Sequence, residues 1–197
     1  MSALGDSGTV SIYLSCNDVK AVRAFSEEMS QCIQPYMYNN RKSERRSKGL
    51  IFENLMDGKA AEFAVWRWLS SNGIESSKPD CKVYGPNSSD DGDLIVSTEC
   101  RKVSIAVKAS KASAQYLLVH DGVYSSFDVG VFCRVAANRE KVELSGWVIK
   151  RDLRRYALAG DWLVDSRGRA LTKLDANNYI VHATELRPMR SLVEALL

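Results

Sequence analysis

Apolar residues recur mostly three or four apart near the start of the chain, at Val19, Val22, Phe25, Met29, Cys32 and Ile33. With Asn17-Asp18 as a cap, this spacing predicts a helix within 17–38 that Pro35 ends. A second helical pattern runs from Leu50 to Leu69 and closes on Ser70-Ser71-Asn72-Gly73, a typical helix stop. The basic stretch 41–48 between them reads as an exposed loop or the start of that helix.

The period then changes. Cys81–Tyr84 is a short strand candidate, followed by the turn-rich GPNSSDDG. Asp93–Ser97 and Val103–Ala109 read as strands joined through Thr98–Lys102. Residues 111–120 are expected to form a helix, and Phe127–Ala136 and Val142–Ile149 two more strands. Arg151–Ala159 reads as a short helix, Tyr179–Ala183 as a strand and Glu185–Leu197 as a terminal helix. Together these elements predict one α/β domain over 1–197, built on a central mixed sheet flanked by helices. An N-terminal helix and basic segment (1–48) would precede the core (49–197).

Composition narrows the function classes. Of 197 residues, 45% are hydrophobic, enough for a single core and too many for a disordered chain. No apolar run approaches the ~20 residues that cross a bilayer. The first residues lack a basic segment followed by an apolar one, so a soluble cytoplasmic protein with no membrane partner is expected. Five scattered cysteines without a C-x-x-C pair, and only His120 and His182, fit neither a disulfide framework nor a common zinc site. A net charge of +3 names no partner by itself. Its distribution says more: RKSERRSK at 41–48 holds five basic residues and one acid, and KRDLRR at 150–155 four and one. Each run is either a solvated face or a phosphate-contacting surface.

The candidate chemistry lies in the central hairpin. A turn centred between Cys100 and Arg101 sets Asp93 across from Lys108, Leu94 across from Val107 and Val96 across from Ile105. The apolar residues then share one face, while Asp93, Ala106 and Lys108 share the other. A carboxylate beside a lysine suits phosphodiester hydrolysis: the acid binds a hard cation and the ammonium stabilises developing negative charge. The alternative is a surface salt bridge worth ~1 kcal/mol or less. Glu62 adds a second acid on or beside the apolar stripe of the helix 50–69. An unpaired charge there is costly, so it requires a partner, a metal or the rim of a cleft. Glu53 is a weaker competitor for the same role.

GKAAEFAVWRWLSSNG at 58–73, DGDLIV at 91–96 and IAVKAS at 105–110 resemble the PD-(D/E)XK nuclease superfamily. The segments GWVIKRDLRRYA and NNYIVHATELRPMRSLVEAL resemble the late strands and helix of its restriction-type members. The resemblance implies a restriction-endonuclease-like mixed sheet and a Mg²⁺-dependent endonuclease, with Mn²⁺ able to substitute, cutting DNA as a homodimer. It makes Asp93 the metal-binding Asp, Lys108 the motif Lys and Glu62 the helix Glu, with the Val107 carbonyl as a main-chain metal ligand. At the metal-site position two before the Lys, the family carries Glu, Asp or Gln. Here Ala106 stands there, and its side chain binds no metal. Glu62 compensates, or an alanine has replaced a metal ligand, or the chain is a nucleic-acid-binding or protein-interaction module without catalysis. On the nuclease reading, a Glu at 106 is expected to raise cleavage. Arg41, Lys42, Arg45 and Arg46 are the expected backbone-phosphate contacts, with Ser110 and Lys111 reaching phosphates from a helix start.

Overall fold

The computed structural model describes residues 8–32, 47–83, 93–98, 101–120, 127–159, 162–164, 170–173 and 178–197. Strand β1 (Val10–Tyr13) leads into helix α1 (Cys16–Cys32). Its start is a reciprocal cap one turn deep. The Ser15 hydroxyl accepts from Asp18 N–H (3.2 Å) while the Asp18 carboxylate accepts from Ser15 N–H (2.9 Å). Ser15, rather than Asn17, is therefore the capping residue. Helix α2 (Lys48–Ser71) is capped by Ser47, whose side chain accepts from Leu50 N–H, and stops at Asn72-Gly73 as its sequence predicts. Arg67 grips Asp18 with two hydrogen bonds of 2.7 and 2.9 Å and ties the two helices together. Burial pushes the Asp18 carboxyl up, but Arg67 and Ser15 outweigh it and hold the group below its ordinary value.

The remaining elements are β2 (Leu94–Ser97), β3 (Lys102–Lys111), β4 (Tyr116–His120), β5 (Val129–Val135) and β6 (Lys141–Ile149). They are followed by a 3-10 helix at Lys150–Arg155, then β7 (Ala157–Ala159), β8 (Trp162–Val164), β9 (Ala170–Lys173) and β10 (Asn178–His182). A 3-10 turn at Ala183–Glu185 and helix α3 (Arg190–Leu196) complete the chain. Five strands form a mixed sheet in the order β1-β6-β5-β3-β2, in which β3 and β5 run parallel and the other pairs antiparallel. A smaller antiparallel sheet has the order β4-β10-β7, and β8 pairs with β9. Among the described residues, no helix is long and apolar enough to cross a membrane.

Alternation along the central strands builds two cores. Val103, Ile105 and Val107 of β3, with Val131 and Cys133 of β5, join the apolar face of α2 in the larger one. Ala106, Phe132 and Val148 point the other way, into a cluster with Leu117, Val119 and Val181 of the small sheet. The mixed sheet is thus covered by helices on one face and by strands on the other.

Several expectations are corrected. Residues 111–120 hold no helix: Leu117 and Val119 are both fully buried, a period of two, and their strand pairs with β10. Residues 151–159 are one 3-10 turn and a strand, because Ala157–Ala159 finds a ladder partner in β10. Residues 81–83 form no strand, and Ser76 instead bridges to Val96. The terminal helix begins only at Arg190, because Leu186–Arg187 is drawn out to pair with Trp147 and Pro188 has no N–H to continue a helix.

That last crossing depends on Gly146. Its φ is +145°, and a Cβ there would lie 2.7 Å from Leu186 Cβ and 2.8 Å from the Arg187 carbonyl oxygen. Gly146→Ala is expected to cost ~2 kcal/mol or more in urea unfolding. An unchanged midpoint would show that the crossing strand yields freely.

Candidate active site

Strands β2 and β3 are antiparallel neighbours, but their register is two residues from the one inferred above. Leu94 opposes Ile105 and Val96 opposes Val103. The cause is the turn: Thr98 N–H donates to the Arg101 carbonyl (2.9 Å), and the Thr98 hydroxyl also engages Arg101, closing the ladder earlier. A shift of two preserves the faces, so the apolar residues still meet. Asp93 lies just outside that ladder, whose last pair is Leu94 and Ile105, and does not stand opposite Lys108.

Asp93 is half-buried, and its Oδ2 accepts the Val107 N–H at 2.5 Å. The side chain thus takes the ladder position that the backbone vacates beyond Leu94. In a strand the N–H and C=O of one residue leave the same edge, so the Val107 carbonyl faces the Asp93 side as well. Asp93 also lies close enough to Cys133 that burial first, and then its negative charge, push that thiol up. Lys108 follows Val107 on the opposite face and is half-buried at the border of the second core.

Glu62 has a partner. It is 8% exposed on α2, and Lys59 Nζ, itself buried, donates to its Oε2 at 2.5 Å. The same ammonium donates to the Asp80 carbonyl (2.7 Å) and lies 4.7 Å from the centre of the Phe25 ring. The segment that reaches Asp80 runs antiparallel along β2, with Ser77 N–H on the Ile95 carbonyl (2.8 Å), so it travels toward the Asp93 end of that strand. Cys81 lies within electrostatic reach of Lys59, Glu62 and Asp80. Glu53, the weaker competitor, is engaged with Asp57 on Arg139 instead.

Ala106 is 7% exposed and belongs to the second apolar cluster. A glutamate at 106 therefore starts from a packed position. Ala106→Glu is expected to lower stability by ~1–3 kcal/mol. Thermal unfolding checks this, and an undiminished midpoint would mean that the longer side chain escapes toward Asp93. Ser110 and Lys111 end β3 rather than starting a helix, and the chain turns at Ala112-Ser113. Arg41, Lys42, Arg45 and Arg46 lie outside the described residues.

No family model, curated protein or solved structure matches the chain. The site therefore rests on its own chemistry. Among the described residues, no three His, Cys, Asp or Glu side chains gather as a metal cluster. The structure joins Asp93 to Val107, next to Lys108, and joins Glu62 to Lys59 and Asp80. Lys59 was missed in the sequence, although its place three residues before Glu62 on a helix was a signal for an ion pair.

Proposed function

We propose that the chain is a divalent-metal-dependent endonuclease of the PD-(D/E)XK type, hydrolysing phosphodiester bonds in DNA on a restriction-endonuclease-like fold. The observation that carries this reading is the seat of Asp93: an acid held by the N–H of Val107, the residue before Lys108 on β3. The mixed sheet, with helices on one face and parallel β3 and β5 at its centre, is compatible with that fold.

The donor set suits Mg²⁺. The groups this reading gives to the metal, Asp93, the Val107 carbonyl and Glu62, would supply oxygen alone, and Mg²⁺ commonly uses one or two carboxylates and keeps several waters. When bound, the ion would polarise the scissile phosphate and acidify a water. The chain's own groups do the rest. The Val107 N–H fixes the Asp93 carboxylate, Lys59 fixes Glu62, and the Lys108 ammonium stabilises negative charge on the phosphate oxygens. Two copies would serve the two strands of a duplex, which favours a homodimer.

A second reading is a binding module that keeps the fold without catalysis. Ala106 in its apolar cluster and the internally neutralised Glu62 favour it. Plasmid and oligonucleotide substrates with Mg²⁺ or Mn²⁺ separate the two. Divalent-dependent cutting that EDTA stops supports the nuclease. Binding without cutting of single-stranded, duplex or branched DNA, or of RNA, supports the module.

A further inference from the structure

A cleft lies at the other end of β3 from Asp93. It is open to solvent and holds about 340 Å³ between β3, β5, β6 and α3, with Val103, Val129, Trp147, Ile149 and Leu192 among its apolar lining. Arg101, Lys150 and Arg151 stand around it, with Asp128 the single acid among the described lining residues. The two basic segments come from distant parts of the sequence: Arg101 immediately precedes β3, while Lys150 and Arg151 open the 3-10 helix after β6. From Lys102 to Lys108 is about 20 Å at ~3.3 Å per strand residue, so this cleft is separate from the Asp93 site.

We propose that this cleft receives one nucleoside of a nucleic-acid strand, with the flanking phosphates on Arg101, Lys150 and Arg151. The volume and apolar lining are those of a small-ligand pocket that a flat ring can fill. Among the described lining residues, three cations against one acid favour an anionic partner. Asp128 selects among anions. Its Oδ2 accepts both the N–H and the hydroxyl of Ser104, each at 2.9 Å. The Ser104 N–H foremost, then its hydroxyl and the nearby Lys150 and Arg101, hold the carboxyl below its ordinary value against the effect of burial. An ionised acceptor beside the cleft takes a hydrogen bond from the amino or imino group of a base, a donor that the chain of a fatty acid lacks. A nucleotide unit combines the ring, the N–H donor and the phosphate that the lining, Asp128 and the cations each require. The choice of a strand as occupant rests on the nucleic-acid reading above, but not on whether the chain cuts.

The test measures binding in EDTA, where cleavage does not intervene, using a labelled short single-stranded oligonucleotide and fluorescence anisotropy. Two variants probe the cleft by different means. Arg101→Ala/Lys150→Ala/Arg151→Ala removes the cations, and Ala195→Trp fills the space while keeping them. Both are expected to weaken binding at least tenfold with an unchanged thermal midpoint. The triple variant alone is expected to flatten the salt dependence, by about 0.7 for each phosphate no longer neutralised. Free nucleoside monophosphate is expected to compete only weakly, since it brings one phosphate. Wild-type affinity in either variant would overturn the proposal, as would a wild-type protein that binds no oligonucleotide or one that the monophosphate displaces as well as the strand does. Weakened binding in the triple variant but not in Ala195→Trp would reduce the cleft to a surface charge patch and overturn it too. The outcomes separate the two readings. Cleft-dependent binding without Mg²⁺-dependent cutting refutes the nuclease and leaves this inference standing. Cutting with cleft-independent binding does the reverse.

Discussion

Asp93→Asn is expected to abolish divalent-dependent cleavage, by more than about 100-fold, while leaving the folded state close to wild type. The substitution separates charge from geometry. Asparagine keeps a carbonyl oxygen at the position where Oδ2 accepts the Val107 N–H, so the bond that replaces the ladder beyond Leu94 survives. The negative charge that would draw Mg²⁺ is removed. Asp93→Ala removes both, and is expected to cost a further ~1–2 kcal/mol of stability because the Val107 N–H is left without its acceptor. Lys108→Ala tests the other half of the site. The side chain is only half-buried, so its removal is expected to reduce cleavage by about 100-fold with little change in unfolding. Mg²⁺ titration by calorimetry supplies a readout independent of turnover: affinity falls in Asp93→Asn and is retained in Lys108→Ala. If Asp93→Asn cuts like the wild type, the carboxylate serves only to hold the Val107 N–H, and the assignment of Asp93 to the metal site fails.

The parts of this fold that local periodicity controls were legible in the sequence. Helix α2 contains the predicted 50–69 and stops at a glycine with φ +74°, as the chain's own stop signal indicates, although its Ser47 cap was not read. The faces of β2 and β3 were legible too, because Leu94, Val96, Ile105 and Val107 alternate. Their register was not, since a shift of two residues preserves every face and only the Thr98–Arg101 closure decides it. Strand β4 was misread because Tyr116–His120 is short and its partner, β10, lies some sixty residues later in the chain. The cleft between β3, β6 and α3 was invisible for the same reason. Arg101 and Asp128 belong to separate strand ends, and KRDLRR gave a charge run without showing what it faces. For the candidate site, the sequence nominated Asp93, Lys108 and Glu62. It could not show that Asp93 caps a backbone N–H or that Ala106 turns into a second core, because both follow from what packs against β3.

Lys59→Met is expected to destabilise the protein by ~3–5 kcal/mol, the usual cost of removing one partner from a buried ion pair. Lys59 and Glu62 have side chains only 6% and 10% exposed, so water cannot replace the missing ammonium. The Asp80 carbonyl is deprived of its donor at the same time. Methionine keeps much of the lysine stem's volume and its packing against Phe25, which isolates the electrostatic effect. The double variant Lys59→Met/Glu62→Leu removes both charges and is expected to regain most of that stability, because the pair attracts only about as strongly as its burial costs. A double-mutant cycle in urea measures the coupling, and a near-zero value would mean that the two groups find other partners in the folded state. Activity then discriminates the role of Glu62. A purely structural pair can be exchanged for apolar residues without loss of function. If Glu62 also serves the metal, the double variant folds like the wild type, still carries Asp93 and Lys108, and fails to cleave.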